Sequence, residues 1–307
     1  MSTKVLLTVV GPTAIGKTAL AIQLAHHFDT EILSADSRQF FKEMEIGTAV
    51  PTKEELKKVP HHFIQHKSIF EPYSVGDFEK EAIKLLDDLF LKKDIVVMVG
   101  GSGLYVDAVV SGLNEFPEVD PEIREKLNQQ LEEEGLEPLQ NELKQRDPKY
   151  YKSVDLDNPH RLIRALEVCI ASNKPYSSFL NLPKPKRPFK TLYVGIDAPR
   201  EVIYDRINTR VDLMMDAGLL NEVKKLYPHK KLNALQTVGY KELFEYIEAQ
   251  STLEFAVSEI KKNTRRFAKR QLTWLRKNDG ILWIPYDGEP SQVLQMVTDQ
   301  LKTNLYA

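Results

Sequence analysis

The fold is decided by GPTAIGKT, residues 11–18, which matches the phosphate-loop pattern G-x-x-x-x-G-K-[ST] in full. The loop follows an apolar run, 5–10, that is typical of a buried strand, and it precedes a helical stretch. In such a loop successive backbone N–H groups surround phosphate oxygens, and the start of the helix adds partial positive charge. The sequence therefore predicts a site for a di- or triphosphate.

Each residue type in the loop suits this chemistry. Gly11 and Gly16 allow the backbone to approach the phosphate closely. Lys17 supplies a mobile cation, and Thr18 supplies a hydroxyl suited to Mg²⁺. The loop alone does not say which phosphate compound is bound or what reaction follows.

Composition sets the broad class. The chain has 307 residues, 42% hydrophobic and 28% charged, with a net charge of −2, so we expect one large α/β domain that carries a second lobe. The chain has a single cysteine, Cys169, so it has no internal disulfide, which is typical of a reducing compartment. We expect Cys169 to be a small core residue. No secretory pattern and no apolar run of membrane length is present. We expect a cytoplasmic protein that needs no membrane and is a monomer by default.

The order of apolar runs predicts the architecture. Helical patterns separate the predicted strands, which are Val5–Val10, Glu31–Ser34, Ile95–Val99, Leu192–Ile196 and Ile281–Ile284. This alternation is typical of an α/β fold, a phosphate-loop-type, doubly wound parallel sheet. Ligands bind such sheets at the carboxyl ends of the strands, so Gly11, Asp36 and Gly100 should converge.

Segment 118–182 breaks the alternation. It offers helical patterns only, which open at the pairs Asp120-Pro121, Asp147-Pro148 and Asn158-Pro159. A stiff, basic, proline-rich connector begins at 183. We therefore predict a helical insertion domain, 118–182, in a catalytic core made of 1–117 and 183–307.

A missing residue argues against an ordinary nucleotide hydrolase. Such proteins commonly end a core strand in an aspartate that holds Mg²⁺. Here the strand 95–99 runs instead into Gly100-Gly101-Ser102-Gly103. The glycines would let backbone approach a ligand, and Ser102 would offer a hydroxyl. The alternative is a tight turn in which Ser102 caps the next helix.

Asp36 follows the second predicted strand, inside the stretch SADSRQF. At that position its carboxylate could accept a proton from a nucleophile. It could equally be an indirect Mg²⁺ ligand or a helix cap. The residue alone does not separate these roles.

Two sets of basic residues could bind anions. Arg206 and Arg210 lie four apart on a predicted helix and therefore on one face, although pairing with Asp205 or Asp212 on a solvated face is the alternative. Segment 261–277 carries lysines and arginines but no acidic residue. It could bind a polyanion or could simply be a solvated helix face. Its aromatic residues, Phe267 and Trp274, are predicted to anchor the helix in the core.

Seven separated blocks of this chain resemble the tRNA dimethylallyltransferases. They are GPTAIGKT (11–18), SADSRQF (34–40) with MEIGTA (44–49), VGGSGLY (99–105), HRLIRALEV (160–168), RINTRVDLMMDAGLL (206–220), QTVGYKEL (236–243) and TRRFAKRQLTWLR (264–276). A phosphate loop alone occurs in many folds, whereas this set in this order is specific and covers nearly the whole chain.

The resemblance implies transfer of a dimethylallyl group from dimethylallyl diphosphate to the exocyclic amine N6 of adenosine 37 in tRNA, with release of diphosphate. It implies that the diphosphate is bound with Mg²⁺ by Gly11, Thr13, Ala14, Gly16, Lys17, Thr18, Arg206 and Arg210. The implied catalytic residues are Asp36, Lys17, Ser102 and Arg210, with Asp36 as the general base and Thr18 as the metal ligand. The chain has serine at 102, where the family has threonine, and it keeps the hydroxyl.

The resemblance also implies a macromolecular partner, the anticodon stem-loop of a tRNA. The target adenine would be flipped out of its stack to reach the carboxylate. The implied RNA contacts are Asp36, Ser37, Arg38, Gln39, Ser102, Arg124, His160, Arg161, Arg164, Arg265, Arg266, Lys269 and Arg270.

Two alternatives stay open on sequence grounds. One is an adenylate isopentenyltransferase, which would use a free nucleotide and would need neither the insertion nor the basic helix. The other is a phosphate-loop ATPase that acts as a switch, against which Asp36 and the missing strand-end aspartate both count.

Overall fold

The computed structural model describes residues 3–180 and 182–306, and for 304–306 it describes the backbone alone. Within these residues six strands form one parallel sheet in the order β3-β2-β4-β1-β5-β6. The strands are β1 (Val5–Val10), β2 (Ile32–Ser34), β3 (His61–His62), β4 (Ile95–Val99), β5 (Lys190–Asp197) and β6 (Ile281–Pro285). The predicted doubly wound α/β fold is confirmed.

Thirteen α-helices are described in these residues. They are α1 (Lys17–His27), α2 (Lys53–Lys58), α3 (Val75–Phe90), α4 (Gly103–Ser111), α5 (Pro121–Glu134), α6 (Leu136–Arg146), α7 (Pro148–Tyr151), α8 (Pro159–Ser172), α9 (Arg200–Asp216), α10 (Leu219–Leu226), α11 (Tyr240–Ile247), α12 (Leu253–Leu275) and α13 (Pro290–Tyr306). None of the helices in 3–180 and 182–306 is both long enough and apolar enough to serve as a membrane span.

Helices cover both faces of the sheet because alternate strand residues point to opposite sides. Leu6 packs with α3, α4, α10 and α11 on one face. Leu7 packs with α1 and α13 on the other, and α9 and α12 contribute to both cores. The strands are buried on both sides, which explains why β1 reads as a continuous apolar run rather than an alternating one.

The strand order reverses between β1 and β4. These two strands are neighbours, with Val5 opposite Ile95. The chain that leaves β1 goes to β2 on one side, and the chain that leaves β4 goes on to β5 on the other side. Loops that diverge in this way leave a crevice at the carboxyl ends of the strands. The phosphate loop and the Gly100 turn lie on the two sides of this crevice.

The sequence predictions for individual elements were mostly confirmed. β1 and β4 have the predicted bounds, and α3 begins with the predicted capping box, in which Ser74 and Asp77 each accept a hydrogen bond from the other's backbone N–H. β3 was not predicted, because its two residues are too few to show a period. β5 extends past the predicted bounds to Lys190 and Asp197.

The chain divides into two compact units, Met1–Val110 with Arg187–Ala307, and Ser111–Lys186. The second unit contains α5 to α8, and the predicted insertion, 118–182, lies within it. Each predicted helix start carries the expected side-chain cap, from Asp120, Asp147 and Asn158. A small leucine-rich core, which includes Leu143 and Leu162, holds these helices together. The joints at 118 and 182 stay a prediction.

One carboxylate ties α10 to the loop that follows β2. Glu222 accepts hydrogen bonds from the backbone N–H groups of Glu45, Ile46 and Gly47 at 2.8–3.0 Å. It also accepts one from the Tyr240 hydroxyl at 2.6 Å. Gly47 has to be glycine, because a Cβ there would lie 2.6 Å from the Tyr240 ring. The motif blocks that contain Gly47 and Tyr240 therefore meet at one structural anchor.

We predict that Glu222→Ala lowers the free energy of unfolding by about 2–4 kcal/mol, because several donors lose a charged acceptor. Urea titration followed by tryptophan fluorescence measures this, since both tryptophans, Trp274 and Trp283, lie in the first unit. The control is Glu245→Ala on the exposed face of α11, which should change stability by about 0.5 kcal/mol or less. Equal effects of the two variants would contradict the anchor.

Candidate active site

A cavity of about 330 Å³ opens at the carboxyl ends of β1, β2 and β4. Its lining comes from four segments, which are 13–19, 34–39, 48–51 and 99–101, and from the side chains of Glu55, Arg210, Phe267 and Gln271. Asp36 and Gly100 line the cavity together with the phosphate loop, as the strand-end argument predicted. Gly11 lies just behind the lining, where a Cβ would come 3.1 Å from the Ile15 side chain.

The backbone of the phosphate loop is shaped for an anion. Ala14 and Gly16 have left-handed φ values of 66° and 109°. When left-handed residues alternate with residues of ordinary conformation, as here on either side of Ile15, neighbouring N–H groups turn toward one side and form an anion-binding concavity. Gly16 is also the N-cap of α1, and no side chain in the described residues caps this helix end. The N–H groups of the first helical turn are thus available to a ligand.

Thr13 differs from the other loop residues. Its backbone N–H already donates to Oε1 of Gln271 at 2.8 Å. Its place in the lining agrees with the prediction that it meets the diphosphate, but its N–H serves the fold in this structure. Of the other predicted loop residues, Gly11 is not among the lining residues, and Ala14, Gly16, Lys17 and Thr18 are.

Lys17 lies in the loop with its Nζ donating to the Pro12 carbonyl at 2.7 Å. Burial and the nearby Arg210 guanidinium together lower the pKa of its ammonium to about 8, although Asp36 opposes the shift. The cavity therefore disfavours a second positive charge until an anion enters.

Arg206 and Arg210 both face the phosphate loop but have different surroundings. Arg206 donates from Nη1 to the Ile15 carbonyl at 2.9 Å and lies over the Tyr286 ring. Arg210 lines the cavity itself, and burial lowers its pKa while Asp36 and Glu55 raise it. The helix face that carries both arginines is thus not a merely solvated one. Arg210 is the better placed of the two to touch a ligand.

Asp36 and Ser102 lie in two turns that are hydrogen-bonded to each other, and of the two only Asp36 is among the residues that line the cavity. Oδ1 of Asp36 accepts the N–H groups of Arg38 at 3.0 Å and Gln39 at 3.4 Å. The Ser102 hydroxyl accepts the Ser37 N–H at 3.4 Å and donates to the Ser37 hydroxyl at 3.2 Å. Asp36 is held as a turn residue whose carboxylate lines the cavity. Ser102 connects the two strand ends.

The glycines after β4 make room for neighbouring protein elements, and Gly100 and Gly101 also line the cavity. A Cβ on Gly100 would lie 2.8 Å from the Ala35 carbonyl oxygen. On Gly101 it would overlap Nε2 of Gln271, and on Gly103 it would lie 2.6 Å from the Trp274 ring. Close packing of neighbouring elements thus requires glycine at all three positions.

Sequence reasoning missed one wall of the cavity. Residues 48–51 form this wall, which is held by Nε2 of Gln39 through bonds to the Thr48 carbonyl at 3.2 Å and the Ala49 carbonyl at 3.0 Å. Ala49, Val50 and Pro51 give it a mostly apolar surface. An apolar run this short carries no periodic signal, so only the fold reveals it.

Phe267 completes the apolar side of the cavity. It is 38% exposed, so the prediction that it anchors the core is wrong. Trp274 is partly buried as predicted, and its Nε1 donates to Asp107 at 3.0 Å. The two aromatic residues lie on the same face of α12, two turns apart, where the helix meets the cavity at Phe267 and α4 at Trp274.

The predicted basic residues of α12 divide into two groups. Arg265 is half-buried, donates to Oδ1 of Asn208 at 2.7 Å and lies over the Tyr204 ring. Arg266, Lys269 and Arg270 are exposed. The exposed group forms a positive surface next to Phe267, since the Arg270 guanidinium lies 5.7 Å from the centre of that ring.

In the second unit, two of the predicted RNA contacts meet on one acid. Arg124 and Arg164 both bind the Glu167 carboxylate, whose side chain is 3% exposed. The arginine side chains stay 53% and 40% exposed, so each keeps an accessible edge. His160 and Arg161 are exposed on the first turn of α8. Glu167 was not singled out from the sequence, although an acid within the apolar stripe of α8 is the signal that marks it.

A second groove lies away from the candidate active site. A shallower groove of about 640 Å³ lies between α1, α2 and α13, and none of its lining residues belongs to the phosphate loop, the Asp36 stretch or the Gly100 turn. Among the described residues no three histidine, cysteine or acidic side chains form a group that could hold a metal ion.

Comparison with known proteins gives concordant results. The family model described as IPP transferase matches residues 39–278. A tRNA dimethylallyltransferase of Christiangramia forsetii is 60% identical over 298 residues, which cover 97% of this chain and 99% of the relative. A tRNA dimethylallyltransferase of Flavobacterium johnsoniae is 56% identical over 308 residues, which cover 98% of this chain and 100% of the relative.

Solved structures agree with the sequence relatives. The full-length tRNA isopentenylpyrophosphate transferase of Bacillus halodurans is 35% identical with a TM-score of 0.73, and the match covers 99% of this chain and 97% of that one. A eukaryotic dimethylallyltransferase acting on tRNA is 26% identical with a TM-score of 0.81, and the match covers 98% of this chain and 80% of that one. The chain therefore belongs to the IPP transferase family.

Proposed function

We propose that this protein is a tRNA dimethylallyltransferase that acts as a monomer and moves a dimethylallyl group from its diphosphate to N6 of adenosine 37. The observation that carries the proposal is the placement of Asp36 in the same cavity as the phosphate loop. One cavity thus offers a cradle for a leaving diphosphate and a carboxylate for the proton of the acceptor amine. The names of the relatives support the same substrate pair.

The diphosphate of the donor binds in the cradle as a leaving group. N–H groups of the loop and of the first turn of α1 bind its oxygens, and Lys17 and Arg210 neutralise its charge. The charge on the bridging oxygen grows as the allylic C–O bond breaks, so cations already in place favour the transition state over the ground state. The apolar wall 48–51 and Phe267 provide a surface for the five-carbon chain.

Asp36 accepts the proton of the acceptor amine. The exocyclic amine of adenine is a weak nucleophile because its lone pair is delocalised into the ring. As the N6–C1 bond forms and the C1–O bond breaks, the amine proton passes to the Asp36 carboxylate, and diphosphate leaves with the bonding electrons. Such a general base contributes about 10²–10⁴ in rate. Ser102 and Ser37 hold the neighbouring turn in position.

The residues present fit Mg²⁺ as the cofactor. Mg²⁺ is usually bound through one or two carboxylates together with substrate phosphates, and it keeps several waters. The Thr18 hydroxyl and the carboxylates of Asp36 and Glu55 line the same cavity. When bound, the ion supplies further neutralisation of the diphosphate. Lys17 and Arg210 orient the same oxygens.

The RNA contacts in the proposal are positive surfaces. On the first unit they are the exposed Arg266, Lys269 and Arg270, beside the Asp36–Gln39 turn that would brace the flipped adenine. On the second unit they are His160 and Arg161 with the accessible edges of Arg124 and Arg164. Contacts of this kind are made mainly with phosphates, so affinity should depend strongly on salt.

The transfer reaction is the direct test. The protein is incubated with radiolabelled dimethylallyl diphosphate, Mg²⁺ and either unmodified tRNA or AMP. We expect label in the tRNA, at adenosine 37, and none in AMP. Label in AMP would favour the adenylate isopentenyltransferase. Label in neither acceptor, together with steady ATP hydrolysis, would favour the ATPase and refute the proposal.

Asp36→Asn is the matched control for that assay. It keeps the shape and the local hydrogen bonds of the turn but removes the base. We expect turnover to fall by at least about 100-fold, while the affinities for donor and tRNA change little. Full activity in this variant would remove Asp36 from the role of base.

The surface of α12 is tested by charge reversal at its exposed positions. The double variant Arg266→Glu/Lys269→Glu should raise the KM for tRNA at least tenfold, leave kcat at saturation nearly unchanged, and reduce the salt slope by about 0.7–0.9 per lost phosphate contact. Lys92→Glu is the control, since Lys92 is exposed before the amino end of β4, at the opposite edge of the sheet. An unchanged salt slope would make the helix a solvated face only.

The lowered pKa of Lys17 predicts a pH dependence. Because its pKa is about 8, the ammonium is charged below that pH and neutral above it. Affinity for an unreactive thio analogue of the donor should therefore be highest below pH 8 and should fall by up to about tenfold per pH unit above it. Isothermal titration measures this, with Lys17→Met as a control whose affinity is weak and flat. Affinity that holds or rises to pH 9.5 would contradict the prediction.

A further inference from the structure

Gln271 connects the two sides of the crevice. It lies on the buried side of α12 and is 6% exposed. Its Oε1 accepts the Thr13 N–H of the phosphate loop at 2.8 Å, and its Nε2 donates to the Gly101 carbonyl at 2.8 Å. A single side-chain amide thus bonds the turn after β1 and the turn after β4.

We infer that Gln271 is a positioning residue, an amide brace that sets the spacing between the diphosphate cradle and the turn that faces Asp36. The inference rests on the proposed function, because it concerns the distance between the donor and the acceptor amine in that reaction. It assigns Gln271 no contact with the reacting atoms.

The brace requires an amide. One atom has to accept from a backbone N–H and the other has to donate to a backbone carbonyl, which among side chains of this length only glutamine can do. An ionised carboxylate offers acceptors only, so it would face the Gly101 carbonyl with a like partial charge. Gly101 matches the brace, because a Cβ there would overlap Nε2 of Gln271.

Neighbouring residues and their hydrogen bonds connect Gln271 to Asp36, the proposed base. Gly101 is followed by Ser102, whose hydroxyl bonds both the N–H and the hydroxyl of Ser37. Ser37 is followed by residues whose N–H groups bond Asp36. A shift of the Gly101 turn would therefore move the Asp36 turn away from the cradle. In a bimolecular transfer, a misplacement of about 1 Å can cost about 10²-fold in rate.

The helix that carries the brace is itself anchored on the same side. Trp274, three residues further on, donates to Asp107 on α4 and packs against Gly103. Phe267, one turn before Gln271, lines the cavity. The amide therefore has a rigid base, and the geometry it sets is that of the cavity.

The test separates hydrogen bonding from size. Gln271→Met keeps the volume and removes both bonds, and Gln271→Glu keeps the shape and replaces the donor with an acceptor. We measure kcat and the KM for tRNA at saturating donor, the stoichiometry of binding of the unreactive donor analogue, and the melting temperature. Gln23→Glu, on the exposed side of α1, is the control for the added charge.

We expect kcat per binding site to fall about 10- to 30-fold in Gln271→Met and at least about 100-fold in Gln271→Glu. The KM for tRNA should stay within about threefold, and Gln23→Glu should match the wild type. A merely structural role would lower the binding stoichiometry and the melting temperature but not kcat per site. If Gln271→Glu fails to fold, Gln271→Met decides.

The inference is overturned if kcat per site stays within about threefold of the wild type in Gln271→Met and in any folded Gln271→Glu. Failure of the proposed function is distinct, because the wild type itself would then show no transfer to tRNA.

Discussion

The site depends on one backbone constraint, the presentation of several N–H groups on one side of a single turn. Left-handed conformations at Ala14 and Gly16 achieve this at the carboxyl end of β1, where the strand order reverses. Because α1 begins directly at Lys17, the N–H groups of its first turn join the same concavity. An anion in this position would meet mainly backbone groups, which would leave the nearby side chains to supply charge and proton transfer in the proposed reaction.

Polar side chains from two helices and one turn hold the loops around this concavity. Glu222 fixes the backbone of 45–47, Gln39 fixes the wall that follows, and Gln271 joins the turns after β1 and β4. Each bond replaces water at backbone groups that the crevice would otherwise leave unpaired. Loops without regular structure thereby keep the fixed geometry that a transfer between two substrates needs.

Much of the fold and part of the site follow from local pattern. Continuous apolar runs located β1 and β4, and proline-marked caps located α5, α7 and α8, because burial and capping act over a few neighbouring residues. The pattern failed where the deciding contact is distant. Phe267 reads as a core residue but lies at the cavity. The glycines after β4 also accommodate Ala35, Gln271 and Trp274, which the local pattern does not show. The apolar wall 48–51 and the two-residue β3 have no period to detect.

By itself the sequence determined the sheet and the family and predicted the anion cradle, since each rests on motifs read within a few residues or in their order along the chain. Only the tertiary structure decided that Arg210 lines the cavity while Arg206 bonds the loop backbone, and that one glutamine joins two strand ends. Because both arginines share a helix face, their spacing does not tell which of them lines the cavity. What separates them is the distance of each guanidinium from residues nearly two hundred positions away, which depends on how the helices pack on the sheet.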